Sequence, residues 1–234
     1  MIVGDVSRPA SVYGVHGTTG LTYWSCLTRR AGLSGGWEAV EWASIPPGGV
    51  SGEHLHTRTE EVYFLLSGEG ELVLDGRPYR VGPGDMALTR VGSRHGLRNV
   101  LDRPLNWLVI ELTHPSTQDV LGGREPRKEP DSMPSRVVNL RDLGEIDAGE
   151  VFASALESVR ITRLTAGRAA TLVADGREHT LFVLAGDGVA SSGEVTTPIA
   201  EGTSVTLPLG DRLTIEAGPS GVEFFAAALR VDEP

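Results

Sequence analysis

The stretch GEHLHTRTEE, residues 52–61, places two of the chain's six histidines one residue apart and follows them with adjacent carboxylates. In an extended strand successive side chains point to opposite faces, so His54 and His56 share a face while Leu55 points away. Two imidazoles on one face can grip one metal ion. Past a bend at Thr57-Arg58-Thr59, Glu61 begins the neighbouring strand and can add a carboxylate. Glu60 competes for that role, and parity sends its side chain to the opposite face.

The elements that must carry these residues are short strands. From Glu61 the sequence EVYFLLSGEGELVLDG has the form strand, tight turn, strand, turn. Its closing Asp75-Gly76 is a hairpin signal, because both residues tolerate positive φ. Further strands are expected over 86–89 (MALT) and 106–112 (NWLVIEL). Residues 114–136 hold four prolines and mixed charge without a clean period and read as a linker. A second β-rich region runs from Val137 to Arg230. Thirty glycines and fourteen prolines in 234 residues suit strands joined by turns rather than long helices.

The two halves are related by a shift of 118 positions. Between Arg160 and Ala217 that single ungapped offset meets identical residues at, among others, Glu178, Phe182, Leu184, Gly186, Gly188, Gly202, Gly210 and Arg212. Four of these are glycines, the residue that a turn requiring φ > 0 selects. The chain is therefore expected to be a tandem duplication of one β domain, with the first unit over 1–113 and the second over 137–234.

Composition excludes several classes of partner. The formal net charge is −10 with scattered basic residues, which argues against nucleic acid. No apolar run approaches the length of a membrane span, and the start MIVGDVSRPA lacks the basic and apolar regions of a signal peptide, so the expected location is cytoplasmic. Cys26 is the lone cysteine and cannot form an intrachain disulfide; His16 lies near it in sequence only. No phosphate-binding glycine loop, dinucleotide fingerprint or Gly-x-Ser-x-Gly elbow occurs. Residues 1–35 form an arm that can add a strand to a barrel or to a partner subunit, and a homodimer stays open.

GGVSGEHLHTRTEEVYFLLSG resembles the first motif of the cupin superfamily: glycine, five residues, His-x-His, four residues, glutamate, six residues, glycine. Gly48, His54, His56, Glu61 and Gly68 fit it. GDMALTRVGSRHGLRN resembles the second motif, with Gly84, Gly92, His95 and Asn99 in place and Arg90 where proline is usual. The resemblance implies an all-β fold of two tandem jelly-roll barrels, a bicupin, with the metal ligands His54, His56, Glu61 and His95 in the first. Three imidazoles and a carboxylate suit one divalent transition ion, Fe, Ni, Zn, Mn or Co, with positions left open for a small-molecule substrate. At the shift of 118, Leu172, Ala174, His179 and Leu213 replace the four ligands, so the second barrel is expected to be degenerate and metal-free.

Tyr63 shares the strand parity of Glu61 and is expected beside the ion, where Glu61 or Tyr63 would move protons. Trp107 and Trp42 are candidates for an aromatic substrate wall, and Arg90 for gripping a substrate carboxylate or enolate. Residues 40–112 are also similar to small cupins associated with aromatic polyketide biosynthesis. That similarity implies a metal-dependent cyclase or isomerase acting on an enolisable carbonyl compound. A non-haem Fe(II) dioxygenase and a non-enzymatic metabolite-binding bicupin are the alternatives.

Overall fold

The computed structural model describes residues 1–17, 20–126 and 134–231. Two jelly-roll barrels of antiparallel strands pack against each other. In the first, one sheet runs in the order Arg136–Asn139, Asp85–Thr89, Thr59–Ser67, Leu105–Thr113, Trp37–Ile45, Leu21–Arg29 and Ala10–Tyr13. The facing sheet runs Val50–Leu55, Arg94–Asn99, Gly70–Leu74 and Arg77–Val81. In the second barrel the long strands Arg177–Ser192 and Arg212–Arg230 cross both faces, shifting register at Val183/Ala185 and Gly186/Gly188 where they bend.

The offset of 118 recurs in the backbone hydrogen bonds. Gly84 N donates to Leu65 O as Gly202 N does to Val183 O, and Gly92 N donates to His56 O as Gly210 N does to Ala174 O. Gly68 and Gly186 both stand at positive φ, at 84° and 80°. A Cβ there would lie 2.6 Å from Pro104 O and 2.1 Å from Gly221 O, so only glycine fits either turn.

Sheet membership does not follow the boundaries expected at 113 and 137. Ile2–Asp5 pairs with Thr203–Leu207 of the second barrel, while Arg136–Asn139 pairs with Asp85–Thr89 of the first. The strands Thr203–Leu207 and Asp85–Thr89, otherwise edges, are each covered by a segment from beyond the expected boundary. The segment expected as a linker holds one described helix, Pro115–Leu121, capped by His114. Residues 127–133 of that segment lie outside the described residues.

Between the barrels lies a shared apolar layer in which Trp37, Phe64, Leu88 and Ile110 meet Val159, Phe182, Phe225 and Leu229. The rings of Phe64 and Phe225 have centroids 5.0 Å apart. Two carboxylates at equivalent positions stitch this layer. Glu60 accepts from Ala153 N and Ser154 N at 2.9 and 2.7 Å. Glu178 accepts from Ser34 N, Gly35 N, Trp37 Nε1 and Leu209 N at 2.8, 2.9, 3.0 and 3.2 Å. Glu60 therefore points away from the barrel interior, as strand parity requires, and works at the seam.

Among the described residues no helix is long and apolar enough to cross a membrane.

Candidate metal centre

His54 sits on the strand Val50–Leu55, His56 just beyond it, Glu61 on Thr59–Ser67 and His95 on Arg94–Asn99. Antiparallel pairing sets His95 directly opposite His54. One ligand atom from each of the four residues lies within 4.8 Å of the others. His56 Nε2 and His95 Nε2 are 3.3 Å apart, and Glu61 Oε2 is 3.3 Å from the first and 2.9 Å from the second.

The outer atoms of the rings explain why their inner atoms converge. His54 Nδ1 is 2.9 Å from Gly52 O, and His56 Nδ1 is 3.2 Å from Thr59 O. A carbonyl only accepts, so both Nδ1 atoms donate, and in the neutral rings both Nε2 lone pairs face inward. Thr89 Oγ1 holds His95 Nδ1 at 2.7 Å. With the rings neutral, Glu61 Oε2 is buried without a hydrogen-bond donor. The inward lone pairs of His54 and His56 and the Glu61 carboxylate converge beside the His95 ring, and such a group repels itself unless a proton or a cation sits among them. This donor set fits a divalent transition ion, and the outer partners fix each ring as a ligating histidine requires.

Without an ion, protons take part of that role. Burial presses the His56 pKa down, but the Glu61 carboxylate outweighs it and the pKa is raised. Burial alone would lift Glu61, yet His56 and His95 hold its carboxyl well below the usual range. Burial lowers His54 to about 4, so it is neutral and ready to ligate at pH 7. This carries a sign. A histidine whose folded pKa lies below its unfolded value of 6.5 contributes stability above 6.5 and loses it as pH falls towards 4. For the metal-free protein, the melting temperature of the wild type minus that of His54→Leu should rise between about pH 4 and 6.5. A difference that is flat or falls over that window refutes the assignment.

His54, His56 and Glu61 line a cavity of about 490 Å³ that opens between the two sheets of the first barrel, and His95 lies buried behind them. Its wall includes Trp24, Glu41, Tyr63, Trp107, Val109 and Glu111. Tyr63 is buried with its ring centroid 4.4 Å from His95, and burial together with Glu61 raises its pKa well above 10, so its phenol is a donor. Trp107 is 2% exposed, and its Nε1 has no hydrogen-bond partner among the described residues.

Two of the expected wall residues lie elsewhere. Trp42 is directed to the opposite face of its strand, into the layer between the barrels beside Phe64 and Phe182. The residues that face the cavity there are its neighbours Glu41 and Ala43, because side chains alternate. Arg90 is outside the cavity lining; its backbone N–H donates to Ser135 Oγ at 3.0 Å.

Three residues join the site that motif spacing does not reveal. Glu41 is gripped by Trp24 Nε1 and by Arg29, each at 2.9 Å. Glu111 is the cross-strand partner of Glu61, accepts from Thr59 Oγ1 at 2.8 Å, and has its pKa raised by burial. A charged residue sharing the parity of Trp107 on an otherwise apolar strand was the available signal for Glu111. The third, His16, arrives on the N-terminal arm and lies flat on His54.

In the second barrel the equivalent space is filled. Leu172 and Leu213 are paired in the register that joins His54 to His95, and both lie with Ala174 and Leu181 in one buried apolar cluster. His179 instead places Nε2 3.3 Å from Val173 O.

A family model described as a cupin domain matches residues 41–111. The oxalate-binding protein of Thermotoga maritima is 32% identical over 66 residues, 28% of this chain and 54% of that protein. The dimethylsulfoniopropionate lyase of Ruegeria pomeroyi is 40% identical over 86 residues, 36% of this chain and 42% of that protein. The chain thus matches about half the length of these relatives. Among solved structures, an oxalate decarboxylase from Bacillus subtilis, described for its Mn(II) centres, superposes with a TM-score of 0.70 at 12% identity. That superposition covers 100% of this chain and 78% of the other.

Proposed function

We propose that the first barrel, whose residues 41–111 match a cupin domain, is a metal-dependent enzyme for a small organic acid or other enolisable carbonyl compound. The convergence of three imidazole nitrogens and a buried carboxylate at the edge of a partly apolar cavity carries this reading. The two sequence relatives are named for oxalate and for dimethylsulfoniopropionate, both carboxylates, which supports an acid as the bound group. A polyketide cyclisation is a finer instance of the same chemistry and calls for a larger, aromatic substrate.

A divalent ion bound by His54, His56, Glu61 and His95 supplies Lewis acidity, lowering the cost of negative charge on a carboxylate or carbonyl oxygen. The remaining work falls to the wall. Trp107 Nε1 donates to a second substrate oxygen, since it is a buried donor that otherwise goes unsatisfied. The Tyr63 hydroxyl orients the same group, while Val109 and Trp24 exclude water from the carbon skeleton. Glu61 belongs to the ligand set, and His56 and His95 hold its carboxyl well below the usual range, so it is a poor base at neutral pH. Glu111 stands beside it with one oxygen held by Thr59 and a carboxyl raised by burial, so it takes the proton from the substrate carbon.

The test separates these roles. Protein loaded with Mn, Fe, Co, Ni or Zn is given oxalate, sulfonium or amino carboxylates and β-dicarbonyl compounds, with and without oxygen. Glu111→Gln should lower kcat about a hundredfold with metal content unchanged. Turnover that consumes oxygen points to the dioxygenase alternative, and tight binding without turnover points to a metabolite-binding protein. If Glu111→Gln keeps full kcat, the base assignment is wrong.

A further inference from the structure

His16 occupies a costly position. It lies in the turn Val15–Gly17 at φ 52°, ψ 39°, a left-handed conformation uncommon for any residue other than glycine, though histidine, asparagine and aspartate enter it more readily than the rest. Gly14 and Gly17 flank it at φ 75° and 78°, and Gly17 N closes the turn on Gly14 O at 3.1 Å. The result of this backbone is one contact. The His16 ring stacks on the His54 ring with centroids 3.6 Å apart and planes 8° from parallel. Strain held at one residue to place one side chain is the pattern of a functional constraint.

His54 is also the ligand that most needs support. His56 and His95 are buried, whereas His54 is half-buried, and Gly52 O restrains it through Nδ1 alone. That hydrogen bond leaves the ring free to tilt about its own axis, and a flat neighbour removes the tilt. The arm that delivers the neighbour starts on the other barrel. Ile2–Asp5 pairs with Thr203–Leu207, and Gly4 packs on the Leu27 backbone. The chain then returns to the first barrel through Ala10–Tyr13 and ends its course over His54.

We propose that His16 is a positioning residue for the metal centre, a stacked clamp that holds the His54 imidazole in its ligating orientation, and that the metal-free second barrel anchors the arm that applies it. This assigns the degenerate barrel a task at a site it does not contain. The inference rests on the metal-site reading above, and the two fail separately.

The probe is Co(II), followed by its visible bands and by its release into excess EDTA. His16→Asn suits the left-handed backbone but lacks the ring; it should release Co(II) about tenfold faster than wild type and shift the bands, a loss typical of a ligand's outer support. His16→Phe keeps a flat ring without nitrogens and should restore wild-type release. Gly4→Val places a Cβ 2.7 Å from Leu27 O, so it should dislodge the arm and release Co(II) as fast as His16→Asn. If that variant does not fold, deletion of residues 1–5 asks the same question. Wild-type release from His16→Asn, or failure of His16→Phe to restore it, overturns the clamp. Wild-type release from a folded protein whose residues 1–5 exchange freely, or are deleted, overturns the anchor. A wild-type protein that takes up no Co(II) overturns the metal site itself.

Discussion

His95→Ala protein is expected to purify folded and to hold no stoichiometric metal. His95 is fully buried, and its Nε2 is the ligand atom nearest to Glu61, at 2.9 Å. Removing it leaves His54, His56 and Glu61, so that water must replace a buried imidazole and the ion is held more weakly. Loss of even an outer-shell partner costs 10–100-fold in affinity, so loss of this ligand should cost more than about a hundredfold. Thr89→Val tests the outer shell, because Thr89 Oγ1 holds His95 Nδ1 at 2.7 Å, and it should show the smaller loss. Equilibrium dialysis with elemental analysis reads both variants. A His95→Ala protein that keeps one ion per chain at wild-type affinity rules out the four-residue site.

Glu178→Ala is expected to cause the largest loss of stability. The side chain is fully buried and satisfies four donors drawn from two barrels: Ser34 N, Gly35 N, Trp37 Nε1 and Leu209 N. Alanine leaves these donors without an acceptor in a space that water enters only at a cost. Each unsatisfied buried group costs about 1–3 kcal/mol, and water recovers part of the total, so a net loss near 3 kcal/mol or more is expected. For a chain of this size that is a fall in melting temperature of roughly 10 °C. Glu60→Ala should cost less, because Glu60 satisfies two backbone donors, Ala153 N and Ser154 N. Thermal melts of the metal-free proteins read the comparison without interference from the ion. A Glu178→Ala melt close to wild type would falsify the view that these carboxylates hold the barrels together.

The offset of 118 marks Glu178 as a repeated residue but has no means of showing what the repetition is for. The same holds for Trp42. An aromatic residue on the strand before the first motif is a reasonable wall candidate until parity is counted from the cavity side, and parity needs to know which face is inside. Here Glu41 and Ala43 face the cavity, and Trp42 faces the other barrel. Arg90 shows the limit of motif position, since its backbone turns at a strand end beyond the cavity wall.

What the sequence determined by itself was local and periodic. A period of two put His54 and His56 on one face, glycines spaced 118 apart pointed to two copies of one fold, and apolar residues at three of the second copy's ligand positions pointed to a barrel without the ligand set. These follow because strand parity and positive-φ turns depend on a few consecutive residues. Tertiary structure alone decided which distant strands share a sheet: that residues 2–5 close the second barrel, that Arg136–Asn139 closes the first, and that His16 lies on His54. Edge pairing and ring stacking between segments far apart in the chain leave no periodic trace, because their partners are chosen by the packing of the two barrels.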